Sequence, residues 1–94
     1  MSPGEAKRLA KEAASANRLV HTRHADERCS DRDATVADIR EAVLTTRTVI
    51  PSRTNPGTWV FEGKADGERL TVIIAFDPDE ILVVTTYWPD RADK

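Results

Sequence analysis

The spacing of apolar residues divides the chain into a helical first half and a strand-rich second half. Residues 5–17 are rich in helix-forming residues, but Leu9 is their one large apolar side chain, which predicts either a peripheral helix or one that moves or docks on a partner. After Thr35 an apolar stripe with the spacing i, i+3, i+7, i+8 predicts a more secure helix, formed by Val36, Ile39, Val43 and Leu44. Thr35 and Asp38 resemble a capping box at the start of this helix.

The segment between these two helices has a weaker pattern. Residues 17–22 are typical of a connection or a very short strand, anchored by Leu19 and Val20. Thr22 is a candidate N-cap for a short helix over residues 24–29, and residues 30–33 are typical of a turn.

From Thr48 the apolar period changes to two, which predicts strands over residues 48–50, 58–62, 70–76 and 81–87. Asp66-Gly67 predicts a hairpin connection, and residues 77–80 carry proline where a type I turn favours it. The fold class is therefore α+β, with two or three N-terminal helices packed on a three- to four-stranded antiparallel meander. We expect the helices to cover one sheet face. The other face would form a shallow groove or a dimer contact lined by some of Trp59, Phe61, Ile73 and Tyr87.

Length and composition indicate one soluble globular domain over residues 1–94, with 39% hydrophobic and 32% charged residues. Within it we expect a leader helix over residues 1–18, a core over 19–88, and a polar tail over 89–94 that frays. No apolar run approaches the roughly 20 residues of a membrane span. The start of the chain lacks an apolar signal-peptide core, and the single Cys29 suits a reducing compartment. The expected location is the cytoplasm.

The formal net charge of -2 argues against a protein that binds nucleic acid through its overall field. Residues 1–20 carry four basic and two acidic groups, whereas residues 54–94 carry four basic and eight acidic groups. An anionic ligand would therefore meet the first half of the chain. Arginine, whose planar fork suits phosphate or carboxylate, provides ten of the fourteen basic residues, although a general bias towards arginine explains this equally well.

His24, Arg28 and Arg32 are spaced four residues apart, so on a helix they would share one face. An imidazole can move the proton of an attacking or leaving oxygen, and guanidinium groups stabilise charge on phosphoryl oxygens. The trio is therefore a candidate phosphodiester site. The alternative is structural: His24 hydrogen-bonds within the helix while the arginines pair with neighbouring carboxylates.

Other residues carry weaker signals. His21, His24 and Cys29 form an H-x2-H-x4-C pattern, but a structural zinc site needs a fourth ligand and closer pairs, so no metal and no cofactor is predicted. Thr86, near the end of the last strand, could orient a phosphate or could simply be a strand-favouring residue. Trp59 and Trp88 are expected to pack in the core or an interface. A solvated position is the default for Arg47, Arg53 and Arg69.

The order of these motifs resembles a known group of small bacterial domains. The run T-R-H-A-D-E-R-C-S-D-R, followed by D-I-R-E-A-V-L, is similar to the T-x-H-A-x-x-R-x-x-x-R pattern that opens the domain of unknown function 4258 group. The later runs T-W-V-F-E-G, R-L-T-V-I-I-A and L-V-V-T-T-Y agree with it as well. The resemblance covers residues 19–87 and leaves the first helix outside.

That group resembles in outline the barnase, colicin and RelE-like ribonuclease toxins. The resemblance implies metal-independent RNA cleavage with His24 as general acid or base, Arg28 and Arg32 on the scissile phosphate, and Thr86 assisting. RNA and a cognate antitoxin or immunity protein would be the partners. The competing hypothesis is a non-catalytic, antitoxin-like or regulatory protein-interaction module, homodimeric through the exposed sheet face. The acidic charge and the thin first helix favour this second hypothesis.

Overall fold

The computed structural model describes residues 1–21, 34–53, 56–77 and 80–90. This part of the chain is α+β, as predicted, with two helices and five strands. The elements are α1 (Pro3–Ser15), β1 (Leu19–His21), α2 (Val36–Leu44), β2 (Thr48–Pro51), β3 (Thr58–Ala65), β4 (Glu68–Phe76) and β5 (Ile81–Tyr87). The predicted helix over residues 24–29 lies outside the described residues.

One mixed sheet contains all five strands, in the order β1-β5-β4-β3-β2. The predicted antiparallel meander is present as β2 to β5, at the upper limit of the predicted strand number. The sheet is not antiparallel throughout, because β1 pairs in parallel with β5, with Leu19 opposite Ile81 and His21 opposite Val83. β1 lies where a connection or a very short strand is predicted, over residues 17–22, but a strand of three residues is too short to show an apolar period, and its pairing was not predictable.

The hairpin between β3 and β4 confirms the prediction at Asp66-Gly67. Both turn residues have positive φ, +52° and +80°, which is the type I′ geometry that suits the twist of paired strands. Because the turn has only two residues, pairing continues to Ala65 opposite Glu68. The strand is therefore three residues longer than the predicted segment 58–62.

Helix α2 begins with the predicted capping box. Thr35 Oγ1 accepts a hydrogen bond from the Asp38 N–H at 3.0 Å, and the Asp38 carboxylate accepts one from the Thr35 N–H at 3.0 Å. The predicted apolar stripe is only partly buried, because Val36 in the first turn is 56% exposed. Ala42 replaces it in the core, beside Ile39 and Val43.

Helix α1 packs through small residues. Its buried positions are all alanine: Ala6, Ala10, Ala13 and Ala14. Leu9, its one large apolar side chain, is only half-buried. The helix contacts α2 and both edge strands, β1 and β2. Alanine side chains allow this close approach because they add little width to the helix.

Both ends of α1 are capped. The Ser2 side chain accepts a hydrogen bond from the Glu5 N–H, and Pro3 occupies the first turn. At the other end Asn17 adopts φ +57°, and the Arg18 N–H donates to the Ala13 carbonyl at 2.7 Å, the pattern of a Schellman motif. Arg40 of α2 adds a hydrogen bond from Nε to the Ala14 carbonyl at 2.9 Å, which places a cation at the negative end of the helix.

The two helices cover one face of the sheet. The core between them and the sheet contains Phe61, Leu70, Val72, Ile74, Val83 and Trp88, together with the buried residues of both helices. Gly63 of β3 lies directly under α2: a Cβ at this position would lie 1.8 Å from the Ala42 carbonyl oxygen. A side chain there is incompatible with the present distance between helix and sheet.

The opposite face of the sheet is open. Of the four residues predicted to line it, two lie on the helix-covered face instead. Phe61 pairs with Val72 and is fully buried on the helix side, and Trp59 pairs with Ile74 on that same side. Ile73 and Tyr87 do alternate to the open face. Phe61 and Trp59 are two residues apart, so one fixed register assigns both to the same face.

Candidate functional site

Of the four predicted site residues, the structure describes Thr86. His24, Arg28 and Arg32 lie outside the described residues, as does Cys29. The convergence of the imidazole and the two guanidinium groups therefore remains a prediction.

Thr86 lies on β5, on the helix-covered face. It is 1% exposed, and its Oγ1 donates a hydrogen bond to the Thr71 carbonyl of β4 at 2.9 Å. The hydroxyl hydrogen is therefore used within the sheet. This geometry fits a residue that fixes the end of β5 better than one that touches a substrate.

Substitutions at Thr86 can separate these roles. Thr86→Val should lower the free energy of unfolding by about 1–2 kcal/mol, because it removes a buried hydroxyl and leaves the Thr71 carbonyl without that donor. Thr86→Ser retains the hydroxyl and should lose less. Urea unfolding of the three proteins measures the difference. Equal stability of the valine and wild-type proteins would contradict a structural role for this hydrogen bond.

His21 ends β1 and lines a small cavity beneath the helices. The cavity has a volume of about 80 Å³ and is lined by Ala14, Asn17, Leu19, His21, Val36 and Arg40. The His21 Nδ1 atom is enclosed from solvent. The site combines an imidazole with a guanidinium that already holds the end of α1, and its volume suits a few water molecules or one small anion.

The parallel pairing of β1 sets the direction of this strand in the sheet. Since β1 and β5 run in the same direction, β1 points with its last residue, His21, to the end of the sheet where β5 carries Thr86 and Tyr87. The antiparallel neighbours bring the end of β3 and the start of β4 to this same end. We call it the upper end of the sheet.

A groove at the upper end contains three basic residues. It has a volume of about 500 Å³ and is lined by Thr45, Arg47, Thr48, Glu62, Gly63, Lys64 and Arg69. Lys64 and Arg69 are direct cross-strand partners and are both exposed. Like charges directly opposite each other in a sheet are destabilising, so this arrangement is unfavourable for folding alone.

Two contacts hold the cationic side of the groove in place. The Thr45 hydroxyl, just after α2, accepts a hydrogen bond from the Lys64 N–H at 2.9 Å. Arg69 donates from Nε and Nη2 to the Asp90 carboxylate at 2.8 and 2.6 Å. The hydrogen bond from Arg69 lowers the pKa of the Asp90 carboxyl and raises that of the guanidinium, so the pair stays ionised at neutral pH.

Sequence patterns do not indicate this groove. Arg47 and Arg69 are exposed, as expected of solvated residues, and Lys64 and Arg69 belong to the more acidic half of the chain. The strand register brings Lys64 opposite Arg69, and the connection from α2 to β2 adds Arg47. The Asp66-Gly67 hairpin signal could have indicated the Lys64–Arg69 pair, because a two-residue turn fixes which residues lie opposite each other.

The described part of the chain shows neither a metal-binding cluster nor a membrane-spanning helix. No group of three His, Cys, Asp or Glu side chains in this part of the chain lies close enough together to hold a metal ion. Neither described helix is long and apolar enough to cross a membrane.

Comparison with known proteins places the chain in one family. No curated protein and no solved structure matches it. The family model described as Domain of unknown function (DUF4258) matches residues 21–88, a segment that starts at the end of β1 and includes α2 and the strands β2 to β5. Helix α1 lies outside the match, as the resemblance of the sequence motifs implied. The match covers most of the chain, and the chain therefore belongs to the DUF4258 family.

Proposed function

We propose that this domain is a cytoplasmic, metal-independent RNA-cleaving domain of the toxin type, with His24 as its acid–base residue. Arg28 and Arg32 bind the scissile phosphate in this proposal, and a neutralising partner protein controls the activity. The 2′-hydroxyl of RNA attacks the adjacent phosphorus while His24 either accepts its proton or protonates the leaving 5′-oxygen. The products are a 2′,3′-cyclic phosphate and a 5′-hydroxyl, with water completing the second proton transfer.

The single observation that supports the proposal best is the pairing of β1 with β5. β1 ends at His21 and points to the upper end of the sheet, where the groove with Arg47, Lys64 and Arg69 also lies, although β1 forms the edge of the sheet opposite to β2. His24 is the third residue after His21 in the sequence. A cationic groove in the same domain as a candidate acid–base histidine is a suitable arrangement for a polyanionic substrate.

Thr86 has a supporting role in this proposal. Its buried hydrogen bond to Thr71 joins β5 to β4 at the end of the sheet that carries the groove. We therefore regard it as a positioning residue rather than a catalytic residue.

The test is cleavage of RNA by the purified wild-type protein and by His24→Ala. We expect the wild type to cut RNA in the presence of a chelator and the variant to lose at least about 100-fold in rate, the usual contribution of acid–base catalysis. Circular dichroism checks that the variant is folded. Induction of both proteins in a bacterial host, scored by growth and bulk RNA integrity, gives the same comparison in cells.

The substrate provides the matched control. An RNA with 2′-O-methyl groups lacks the attacking hydroxyl and should resist the wild-type protein. Cleavage of this analogue would rule out the proposed chemistry, and full activity of His24→Ala would rule out the proposed residue.

A second candidate function is supported by the open sheet face. Val20, Ile50 and Tyr87 are apolar or aromatic and 38%, 48% and 37% exposed, an arrangement that suits a protein-binding surface. This candidate is a non-catalytic interaction module. A wild-type protein that leaves RNA intact and sediments as a dimer at micromolar concentration would favour it over the ribonuclease.

A further inference from the structure

The groove at the upper end of the sheet joins basic residues from separate parts of the fold. Arg47 precedes β2, Lys64 is near the end of β3, and Arg69 is near the start of β4. Among the charged residues that line the groove, Glu62 is the acidic one, so the lining carries a positive charge on a chain whose formal charge is -2. Outside the lining, Asp90 offsets part of the charge of Arg69.

The pairing of Lys64 with Arg69 brings two exposed cations together on one side of the groove, and Asp90 binds one of them. Directly opposed residues of neighbouring strands have Cβ atoms about 5 Å apart, and like charges at that distance destabilise the sheet. Departures from favourable local structure are expected where a site must meet a ligand. An anion between the two side chains would convert the repulsion into attraction.

The contacts around the two cations prepare them for such a ligand. Asp90 engages Nε and Nη2 of Arg69, which orients the guanidinium and leaves its Nη1 end outside this contact. Thr45 fixes the backbone of Lys64 from the end of α2. Arginine presents a fixed fork to phosphate oxygens, and lysine adds a mobile point charge.

We propose that this groove binds the phosphodiester backbone of single-stranded RNA, through Arg47, Lys64 and Arg69. The choice of RNA as the ligand rests on the proposed function. Each phosphate contact made by a cation releases bound salt ions from a single strand. The logarithm of the association constant therefore falls as the logarithm of the salt concentration rises, with a slope of about -0.7 per contact. The groove accounts for up to three such contacts.

The test measures binding of a short, fluorescently labelled 2′-O-methyl RNA, which resists cleavage, by fluorescence anisotropy over a range of salt concentrations. The variant Arg47→Gln/Lys64→Gln removes two cations and spares Arg69, whose contact with Asp90 holds the chain after β5. We expect weaker binding and a slope smaller by about 1.4. Raising the salt from about 50 to about 200 mM then weakens the wild type roughly sevenfold more than the variant.

The matched control is Arg8→Gln/Lys11→Gln, which removes the same charge from α1, a helix that does not line the groove. This control should keep the wild-type slope. The proposal is overturned if the groove variant also keeps that slope, if the two double variants weaken binding equally, or if the wild type does not bind this RNA.

Failure of this proposal can be told from failure of the proposed function. If the wild type binds RNA through the groove but never cleaves natural RNA, the groove proposal stands and the ribonuclease proposal is wrong. If the wild type cleaves RNA but the groove variant binds RNA as the wild type does, the ribonuclease proposal stands and the groove proposal is wrong.

Discussion

Gly63→Ala should destabilise the protein by at least about 3 kcal/mol, a large fraction of the 5–15 kcal/mol that typically stabilises a domain. The added Cβ would lie 1.8 Å from the Ala42 carbonyl oxygen and 2.6 Å from its carbon. Both atoms belong to the backbone of α2, so no side-chain rotation can relieve the clash. The helix would have to move away from the sheet and loosen its contacts with Phe61 and Leu70. Urea or thermal unfolding measures the loss.

Gly4→Ala is the matched control for this substitution. A Cβ at Gly4 meets no atom within 4 Å, and alanine is the better helix former, so α1 should gain up to about 1 kcal/mol. A Gly63→Ala protein as stable as the wild type would show that α2 does not lie against β3 at this point. The two substitutions make the same chemical change, and only their surroundings differ.

Ala10→Leu should destabilise the protein by about 1–3 kcal/mol, because it forces a large side chain into the packed face of α1. Ala10 is fully buried, between Ala6 and Ala14 on the same face of the helix. Intrinsic helix propensity changes little between alanine and leucine, so the loss would report packing alone. Thermal unfolding followed by circular dichroism measures it.

Ser15→Leu is the control, since it places the same side chain at an exposed position of the same helix. It should alter stability by no more than about 0.5 kcal/mol. Equal effects of the two leucines would contradict the close packing of the alanine face. The interpretation of α1 as a helix that only docks loosely would then regain support.

Local signals predicted much of the fold. The capping box at Thr35 and the hairpin at Asp66-Gly67 depend on residues within a few positions of each other, so the sequence displays them directly. Turn residues separate the apolar runs of β3, β4 and β5, so the number and order of these strands were predictable, whereas the hairpin ends of β3 and β4 extend beyond the apolar runs. These elements made the α+β class predictable.

The features that were missed depend on contacts between distant segments. An alanine-rich helix has a weak apolar pattern, because each alanine side chain buries little apolar area. Its alanines contribute by their small volume, which lets the helix approach its neighbours closely. A very short strand was one of the two predictions for residues 17–22, but the parallel pairing of β1 with β5 was not predicted. Ile73 and Tyr87 lie on the open face of the sheet, whereas Trp59 and Phe61 lie on the face that the helices cover. The alternation of apolar residues along a strand defines two faces, but it does not show which of them the helices cover.

The candidate site divides in the same way. His24, Arg28 and Arg32 were identified from a local spacing and remain a prediction. In the groove, by contrast, strand pairing joins Lys64 to Arg69, and Arg47 is the residue before β2. Arg47 and Arg69 belong to different parts of the chain, and no local pattern connects them. Composition by segment does not indicate the groove either, because the second half of the chain is acidic on average.

The parallel contact between β1 and β5 has a consequence for the order of folding during synthesis. Leu19 and its partner Ile81 are 62 positions apart in the sequence. β1 therefore cannot pair in the sheet until β5 has left the ribosome. At the usual rate of translation this delay is roughly 3–12 s, far longer than a helix or hairpin takes to form. The meander from β2 to β5 can assemble in sequence, while β1 and its apolar residues stay exposed. A chaperone that acts early on this chain would meet its first segment, and edge closure by β1 would be the final step.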